Sequence, residues 1–224
     1  MQKRRIIIGT YDTAVEGLWT LSSWAFSKAV ANEEYLNIPG HNGPFDVSTV
    51  LTDGEPYYGS RTFEAVLESS EGGRLEREER INQMINTLDG WRFDITLPDD
   101  PTHHINGRVS VERLYNTPAH ASVRVSAICD PWRYNNSETV VGLKATATEQ
   151  TVTLINNGRR SVVPTIIVEG GSVNLKFEAN GETQSWSMNS GEYILGDIYL
   201  KTGSAPLKYS GSGTVTLTYR EAVL

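Results

Sequence analysis

The sequence has little cysteine and no long apolar run. Cys129 is the single cysteine among 224 residues, which excludes an intrachain disulfide and a zinc site built on several thiolates. The basic start at residues 3–5 leads into three isoleucines, but Gly9 interrupts them before a signal-peptide core develops. No run approaches the length that spans a membrane. These absences predict a soluble, unsecreted chain that folds in a reducing compartment.

Motifs that carry chemistry are also missing. The sequence holds no nucleotide-binding glycine loop, no G-x-S-x-G elbow and no Cys/His pairing. Asp99 and Asp100 are adjacent, and neighbours in an extended chain point apart, whereas a glycosidase needs two carboxyls that face one bond. The histidines are isolated or adjacent, which does not complete a metal site: His41, His103, His104 and His120. We expect no catalytic residue, no metal site and no cofactor.

Turn residues are abundant instead, with 20 glycines and 9 prolines against an apolar content of 38% that suffices for a core. They are densest in residues 35–56, where Pro39-Gly40, Asn42-Gly43-Pro44 and Glu55-Pro56 fix chain reversals. The following segment alternates, with Phe63, Ala65 and Leu67 on one side. A turn-rich loop that leads into a half-buried strand is therefore predicted.

A single segment has helical periodicity. Ile81, Met84, Ile85 and Leu88 recur at the spacing of one helix face, and acidic residues cluster at its start, which the helix dipole favours. The pattern predicts an amphipathic helix over residues 75–88 that ends at Asp89-Gly90. Residues 91–97 then alternate with apolar side chains at odd numbers, so this strand and the helix are expected to share a core.

A β-hairpin is predicted over residues 108–128, with its turn at residues 115–118 and a polar link at residues 98–104 before it. A ribbon of two strands is marginal unless it packs on something else. The turn-rich stretch at residues 130–137 follows, and it is the clearest boundary in the chain. We therefore divide the chain into domains at residues 1–134 and 135–224.

The second domain shows only short strands separated by glycine turns, the pattern of an antiparallel sandwich. The strands are centred on Val152 and Leu154, residues 162–168, 173–177, 186–188, 198–200 and 215–219. Trp186 and Tyr193 could form a platform for stacking sugars, although core packing is the commoner role of such residues. The fold class predicted is mainly β with one amphipathic helix.

The net charge of −7 is uneven. Residues 1–134 carry 13 basic and 19 acidic groups, and residues 135–224 carry 7 and 8. A protein that grips duplex nucleic acid normally presents a basic surface, so high-affinity binding of nucleic acid is not expected.

Several short motifs, in this order, resemble the distal tail protein (Dit) family of bacteriophages with long non-contractile tails. They are Ile38-Pro39-Gly40 with Gly43 and Asp46; Tyr58 and Arg61; Ile95 to Pro101 with Gly107-Arg108; Cys129-Asp130-Pro131-Trp132; and Gly213 to Arg220. Each motif alone is short, and together they cover essentially the whole chain.

The resemblance implies a structural protein of the virion tail, assembled in the cytoplasm of the host bacterium. Its β-rich N-terminal domain would form a six-membered ring between tail tube and tail tip, and its C-terminal domain would be a galectin-like sandwich outside the ring. The partners would be further copies of the chain, the tail tube protein, the tail-tip protein and a receptor-binding protein. About 90 residues after the boundary leave no room for a sugar-binding insertion.

Ring closure would be heterologous, and the hairpin at residues 108–128 is then expected to be an exposed belt across a neighbour. Phage DNA would pass through the channel without being bound specifically, and a membrane is not expected among the partners of the protein. We expect carboxylates from residues 1–134 to outnumber basic groups on the channel wall, supplied by residues 89–100 or by the turns at residues 40–55. The alternatives are a carbohydrate-binding module for host cell-wall glycans and, more remotely, a glycan hydrolase.

Overall fold

The computed structural model describes residues 4–52, 54–179 and 181–224, and it divides into two compact units, Met1–Arg133 and Tyr134–Leu224. Each unit encloses its own hydrophobic core. Antiparallel strands dominate both units, and the described residues contain one α-helix. The predicted fold class, mainly β with one amphipathic helix, is confirmed.

The first unit is built on one large sheet with the strand order β2-β1-β7-β8-β9-β6-β3, and β4 pairs with β5 apart from it. The elements are β1 (Ile7–Ile8), β2 (Tyr11–Asp12), β3 (Thr20–Phe26), β4 (Tyr35–Leu36), β5 (Phe45–Asp46), β6 (Arg61–Ser69), α1 (Arg74–Leu88), β7 (Arg92–Leu97), β8 (Asp100–Asn116) and β9 (Ala121–Asn135).

One face of this sheet is buried against α1. Period-2 alternation places the odd-numbered side chains of β6, β7, β8 and β9 on that face. The buried residues include Phe63, Ala65, Leu67, Ile95, Val109, Val111, Val123, Val125 and Ala127, and α1 contributes Ile81, Met84 and Leu88. The helix and the strand after it thus share a core, as their periodicities predicted.

The ends of α1 are fixed by two carboxylates. The Gly73 N–H donates to Glu76 Oε2 at 2.8 Å, which satisfies a free donor at the start of the helix. At the other end the Asp89 N–H donates to the Ile85 carbonyl, and Asp89 Oδ1 accepts the N–H of Val111 at 2.9 Å. The helix begins at Arg74, one residue before the predicted start at residue 75, and it ends at Leu88 as predicted.

The hairpin predicted over residues 108–128 exists, but it is longer than predicted and is not an exposed ribbon, because other strands flank it. The structure extends both strands, so that β8 already begins at Asp100 within the predicted polar link, and β9 continues to Asn135 through the predicted boundary loop. Both outer edges are paired, since β7 binds β8 and β6 binds β9. The hairpin lies in the middle of the sheet, and its polar residues occupy one face of a half-buried ribbon.

The second unit contains two four-stranded sheets, β10-β17-β12-β15 and β11-β16-β13-β14. Its strands are β10 (Thr139–Lys144), β11 (Gln150–Asn156), β12 (Thr165–Glu169), β13 (Val173–Ala179), β14 (Glu182–Met188), β15 (Gly191–Ile194), β16 (Gly203–Gly211), β17 (Thr214–Tyr219) and β18 (Ala222–Val223). Side chains from both sheets meet in one core that includes Leu154, Ile166, Leu175, Leu207 and Leu217. This is an antiparallel sandwich.

Some predicted strands of the second unit differ from the observed ones. Residues 198–200 form only an isolated bridge, in which Leu200 pairs with Val162. Ile198 and Leu200 are nevertheless buried, which explains their apolar pattern. Strands β10, β15 and β16 were not predicted: β10 and β15 contain no fully buried residue, and the two buried positions of β16 follow Pro206.

Arg77 is a buried guanidinium that joins three separate segments. It is 1% exposed. It donates to the carbonyl of Gly72 before α1, and to those of Thr117 and Pro118 in the β8–β9 turn, at 2.8 and 2.9 Å for the turn residues. These bonds hold the hairpin turn against the start of the helix.

We expect Arg77→Met to lower the free energy of unfolding of the first unit by about 2–4 kcal/mol, because similar volume is kept while three carbonyls lose their charged donor. Urea unfolding followed by tryptophan fluorescence measures this, since four of the five tryptophans lie before residue 134. Arg74→Met, on the exposed side of the same helix, should stay within about 0.5 kcal/mol of wild type. Equal stabilities of the two variants would contradict the assignment.

Candidate assembly surfaces

The most exposed segment of the first unit is the connection between β3 and β6, residues 27–60, which we call the arm. None of its described residues is buried. Eight of the eighteen exposed large hydrophobic side chains nevertheless fall in these 34 residues: Val30, Tyr35, Leu36, Ile38, Phe45, Val50, Leu51 and Tyr57. Exposed apolar side chains concentrated in one segment are a feature of interaction surfaces.

The outer half of the arm is a small hairpin with its own hydrogen bonds. In the pairing of β4 with β5, Tyr35 lies opposite Asp46 and Leu36 opposite Phe45. Ser48 locks the end of this pair, because its hydroxyl accepts the N–H of Glu34 and donates to Asp46 Oδ1 at 2.6 Å. The hydrogen bonds from the Ser48 hydroxyl and the Ser48 N–H lower the pKa of Asp46. The arm is therefore an ordered ribbon.

The base of the arm is tied to the sheet by backbone pairing. The Asn32 N–H donates to Tyr57 O at 2.8 Å, and the Gly59 N–H donates to Val30 O at 3.0 Å. Closer to the sheet, Ser27 exchanges two hydrogen bonds with the backbone of Thr62. The outgoing segment after β3 and the returning segment before β6 thus leave the sheet together as one continuous ribbon.

Arg61 anchors this base to the end of the first unit. Its Nε donates to Ser27 O at 2.6 Å, its Nη1 donates to Pro131 O at 3.3 Å, and its guanidinium carbon lies 3.6 Å from the ring centroid of Phe26. Burial, with the nearby positive charge of Arg133, lowers the pKa of Arg61. The guanidinium therefore connects the two segments at the base of the arm to the last part of β9, through the carbonyls of Ser27 and Pro131.

Four residues of the family motifs meet at this base, although some 70 positions separate them in the chain. Tyr58 contacts Trp132 edge to face, with ring centroids 5.4 Å apart, beside the contact of Arg61 with Pro131. An edge-to-face aromatic pair adds about 0.5–1.5 kcal/mol beyond its buried area. These motif residues thus serve to position the arm.

The face of the large sheet that points away from α1 is open and charged. Five carboxylates and three guanidiniums follow the even-numbered positions: Glu64, Glu68, Asp94, Glu112 and Asp130, with Arg92, Arg108 and Arg124. Arg92 binds Asp130 at 2.7 Å, Arg124 binds Glu112 at 2.8 Å, and Arg108 donates to the Gly90 carbonyl. Each guanidinium on this face therefore has an intramolecular partner.

The structure separates the candidate catalytic and metal-binding residues. Asp99 lies 3.5 Å from Arg4, whereas Asp100 binds Arg133 and His103 at 2.8 and 2.9 Å. Partial burial acts to raise the pKa of Asp100, but hydrogen bonds from His103 and Thr102 and the charges of His103 and Arg133 together outweigh it and lower that pKa. Within the described ranges, no three His, Cys, Asp or Glu side chains form a group that could hold a metal ion.

The proposed aromatic platform does not assemble. Trp186 lies on β14 and Tyr193 on β15, in different sheets of the sandwich, and both rings pack against its core. The Tyr193 hydroxyl donates to the carbonyl of Asn189. Residues 4–52, 54–179 and 181–224 also contain no helix long and apolar enough to cross a bilayer.

No family model and no curated protein matches the chain. Ten chains of solved structures do match it, and one of these matches shows a fold shared with a phage hub protein. One of the matching structures is that of SPP1 Dit (gp 19.1), described as a paradigm of the hub adsorption apparatus in phages that infect Gram-positive bacteria. The match has a TM-score of 0.70 and 16% identity, and it covers 100% of both chains. The resemblance to Dit is thereby confirmed for the fold, over the whole length of the chain.

Cys129, which belongs to the same motif as Trp132, is a buried thiol. Gly107 allows this close packing, since a Cβ at that position would lie 2.5 Å from the Cys129 Sγ. Burial raises the pKa of Cys129 to about 11 from an ordinary value of 9.0, and the charge of Asp130 adds to the rise. Folding therefore favours the protonated thiol.

This raised pKa predicts a loss of stability in alkali. The contribution of the thiol is complete below pH 9 and is lost as pH rises towards 11, because the unfolded chain releases the proton first. Between pH 8 and 10 we expect the free energy of unfolding of Cys129→Ala to fall less than that of wild type, measured by urea unfolding. Tyr11, whose pKa burial raises from 10.0 to about 12, is present in both proteins and therefore lowers both stabilities equally as pH approaches and passes 10. Equal falls would contradict a buried thiol.

Proposed function

We propose that this chain is a structural, non-enzymatic protein of a phage tail that forms the hub between tail tube and tail tip. The observation that carries the proposal is the match to SPP1 Dit over the whole of both chains. The clustering of motif residues 58, 61, 131 and 132 at the base of the arm supports it independently. The virion tail would be its location.

The proposed assembly is a six-membered ring of first units, with the galectin-like sandwiches outside it as docking surfaces for tip or receptor-binding proteins. The arm replaces the hairpin at residues 108–128 as the belt that reaches a neighbouring copy. Its support is the contrast in burial. The hairpin contributes Val109, Val111, Val123 and Val125 to the core of its own unit, whereas none of the described arm residues is buried.

The open face of the large sheet is proposed to line the channel through which DNA passes. Five carboxylates outnumber three guanidiniums there, and the guanidiniums are already engaged within the chain. Arg92 and Arg124 are paired with carboxylates and Arg108 donates to a backbone carbonyl, so this face gains little of the salt-sensitive affinity that comes from neutralising phosphates. Of the five carboxylates on this face, Asp94 comes from the predicted residues 89–100 and none comes from residues 40–55, so most of the proposed acidic wall comes from other strands of the sheet.

Deleting the outer arm tests the ring. Residues 33–56 are replaced by Asn-Gly, a two-residue turn that suits the backbone pairing of Asn32 with Tyr57. We expect wild type to assemble to six times its 24.8 kDa subunit mass and the deletion variant to stay monomeric by light scattering, with unchanged circular dichroism. Rings formed by the deletion variant would place the contact elsewhere.

Deletion of residues 111–123 is the matched comparison. It removes Val111, Ala121 and Val123 from the core, so we expect it to unfold the first unit. If this variant remained folded and lost only its assembly, the hairpin would be the belt after all.

We expect the wild-type ring to show no appreciable binding of duplex DNA near physiological salt, measured by fluorescence anisotropy. Glu64→Lys with Glu68→Lys should create binding that weakens steeply as salt rises, because the open face then carries unpaired cations. Glu178→Lys with Glu182→Lys in the second unit controls for net charge. DNA binding by wild type, or equal binding by the two double variants, would refute the assignment of the channel wall.

A further inference from the structure

A small apolar cleft lies at the far edge of the large sheet from the arm. It has a volume of about 330 Å³ and lies where β1 pairs with β7. Two consecutive arginines and a set of apolar side chains line it: Arg4, Arg5, Ile7, Leu97, Pro98 and Pro101. An apolar cleft with two guanidiniums suits a ligand that is both apolar and acidic.

The arginines of this cleft are only partly neutralised within the chain. Arg4 lies 3.5 Å from Asp99, and both side chains of that pair are mostly exposed, at 61% and 59%. Arg5 binds Asp12 at 2.6 Å. An exposed pair at such a distance contributes little stability, so the Arg4 guanidinium is available to a stronger acidic partner.

The arm has the complementary character. Its 34 residues carry one lysine and five acidic side chains, a net charge of −4. Two of the acidic residues, Glu33 and Glu34, are consecutive and directly precede the exposed pair Tyr35 and Leu36. Because side chains alternate along an extended strand, Glu34 and Leu36 share one side of the ribbon, while Glu33 and Tyr35 share the other, where the Tyr35 hydroxyl donates to Glu33 at 3.3 Å. One side of the arm thus presents a carboxylate beside an apolar side chain, and the cleft presents two guanidiniums beside an apolar surface.

The two surfaces lie at opposite ends of one sheet. The arm joins β3, which is the last strand of the sheet, to β6, while the cleft is formed at β1 and β7, near the other end. Two different, complementary patches at opposite edges are what a head-to-tail, heterologous contact requires, and a closed ring contains only such contacts.

We propose that the cleft receives the arm of a second copy of this chain, with Glu34 against Arg4 and Arg5 and with Leu36 on the apolar lining. The inference rests on the proposed ring and names the surface that accepts the arm. Charge complementarity orients the arm and excludes like-charged surfaces, while the apolar side chains lose their exposure to water.

Paired charge reversals test this contact. Arg4→Glu with Arg5→Glu, and separately Glu33→Arg with Glu34→Arg, should each raise the protein concentration needed for half assembly at least about tenfold, since like charges then face each other. An equimolar mixture of the two variants should recover assembly, because each supplies the partner that the other lacks, in alternation around an even-membered ring. The chain that carries all four reversals should also assemble. Light scattering measures each case.

Controls separate the contact from folding and from the ring itself. Arg159→Glu with Arg160→Glu reverses another consecutive arginine pair, in the second unit, and should assemble like wild type. If loss of the Arg5–Asp12 pair prevents folding, Arg4→Glu alone keeps that ion pair and should show the same direction of effect. Rings that persist in both reversal variants, or a mixture that fails to recover, overturn the cleft assignment alone. A wild-type chain that stays monomeric overturns the proposed ring and this contact with it.

Discussion

One-sided burial of the large sheet against α1 is the constraint on which the first unit depends. Ile81, Met84 and Leu88 cover the odd-numbered side chains of the central strands, and this core is complete without any described residue of the arm. A segment with eight exposed large apolar side chains therefore has no place in the core of its own unit. Its apolar surface stays uncovered within the described part of the first unit, and the proposed ring assigns that surface to a contact with another copy.

The arm combines a fixed base with an uncovered outer half. Partial burial of Arg61 costs hydration free energy. This cost is offset by hydrogen bonds to the carbonyls of Ser27 and Pro131 and by the contact with the ring of Phe26. The Tyr58–Trp132 pair adds a second attachment. With the base held in this way, the direction in which the ribbon leaves the sheet is set before a partner arrives, so less conformational entropy is lost on assembly.

Local sequence patterns predicted the helix and individual strands, but they did not predict which strands lie next to each other in the sheet. Alternation identified β6 and β7, and helical spacing identified α1 to within one residue. The hairpin of β8 and β9 has the same alternation whether its edges are free or paired, so its position in the middle of the sheet could not be read from residues 108–128. The turns of the arm were predictable from Gly and Pro, but apolar residues such as Leu51 and Phe45 look like core residues in sequence. The acidic residues among them, especially Glu33 and Glu34, were the available signal of exposure.

The acidic charge of the arm opposes association between two arms, which the exposed apolar side chains of the arm would otherwise favour. Exposed apolar ribbons tend to associate with one another, and two arms that met directly would leave the cleft unused and the ring unformed. Each arm carries a net charge of −4, so contact between two arms is opposed by repulsion, while contact with a surface that holds Arg4 and Arg5 is favoured. The same carboxylates thus act against one partner and in favour of another. Because the repulsion is screened at high salt, the discrimination between arm and cleft should weaken as ionic strength rises, even though the apolar contacts persist.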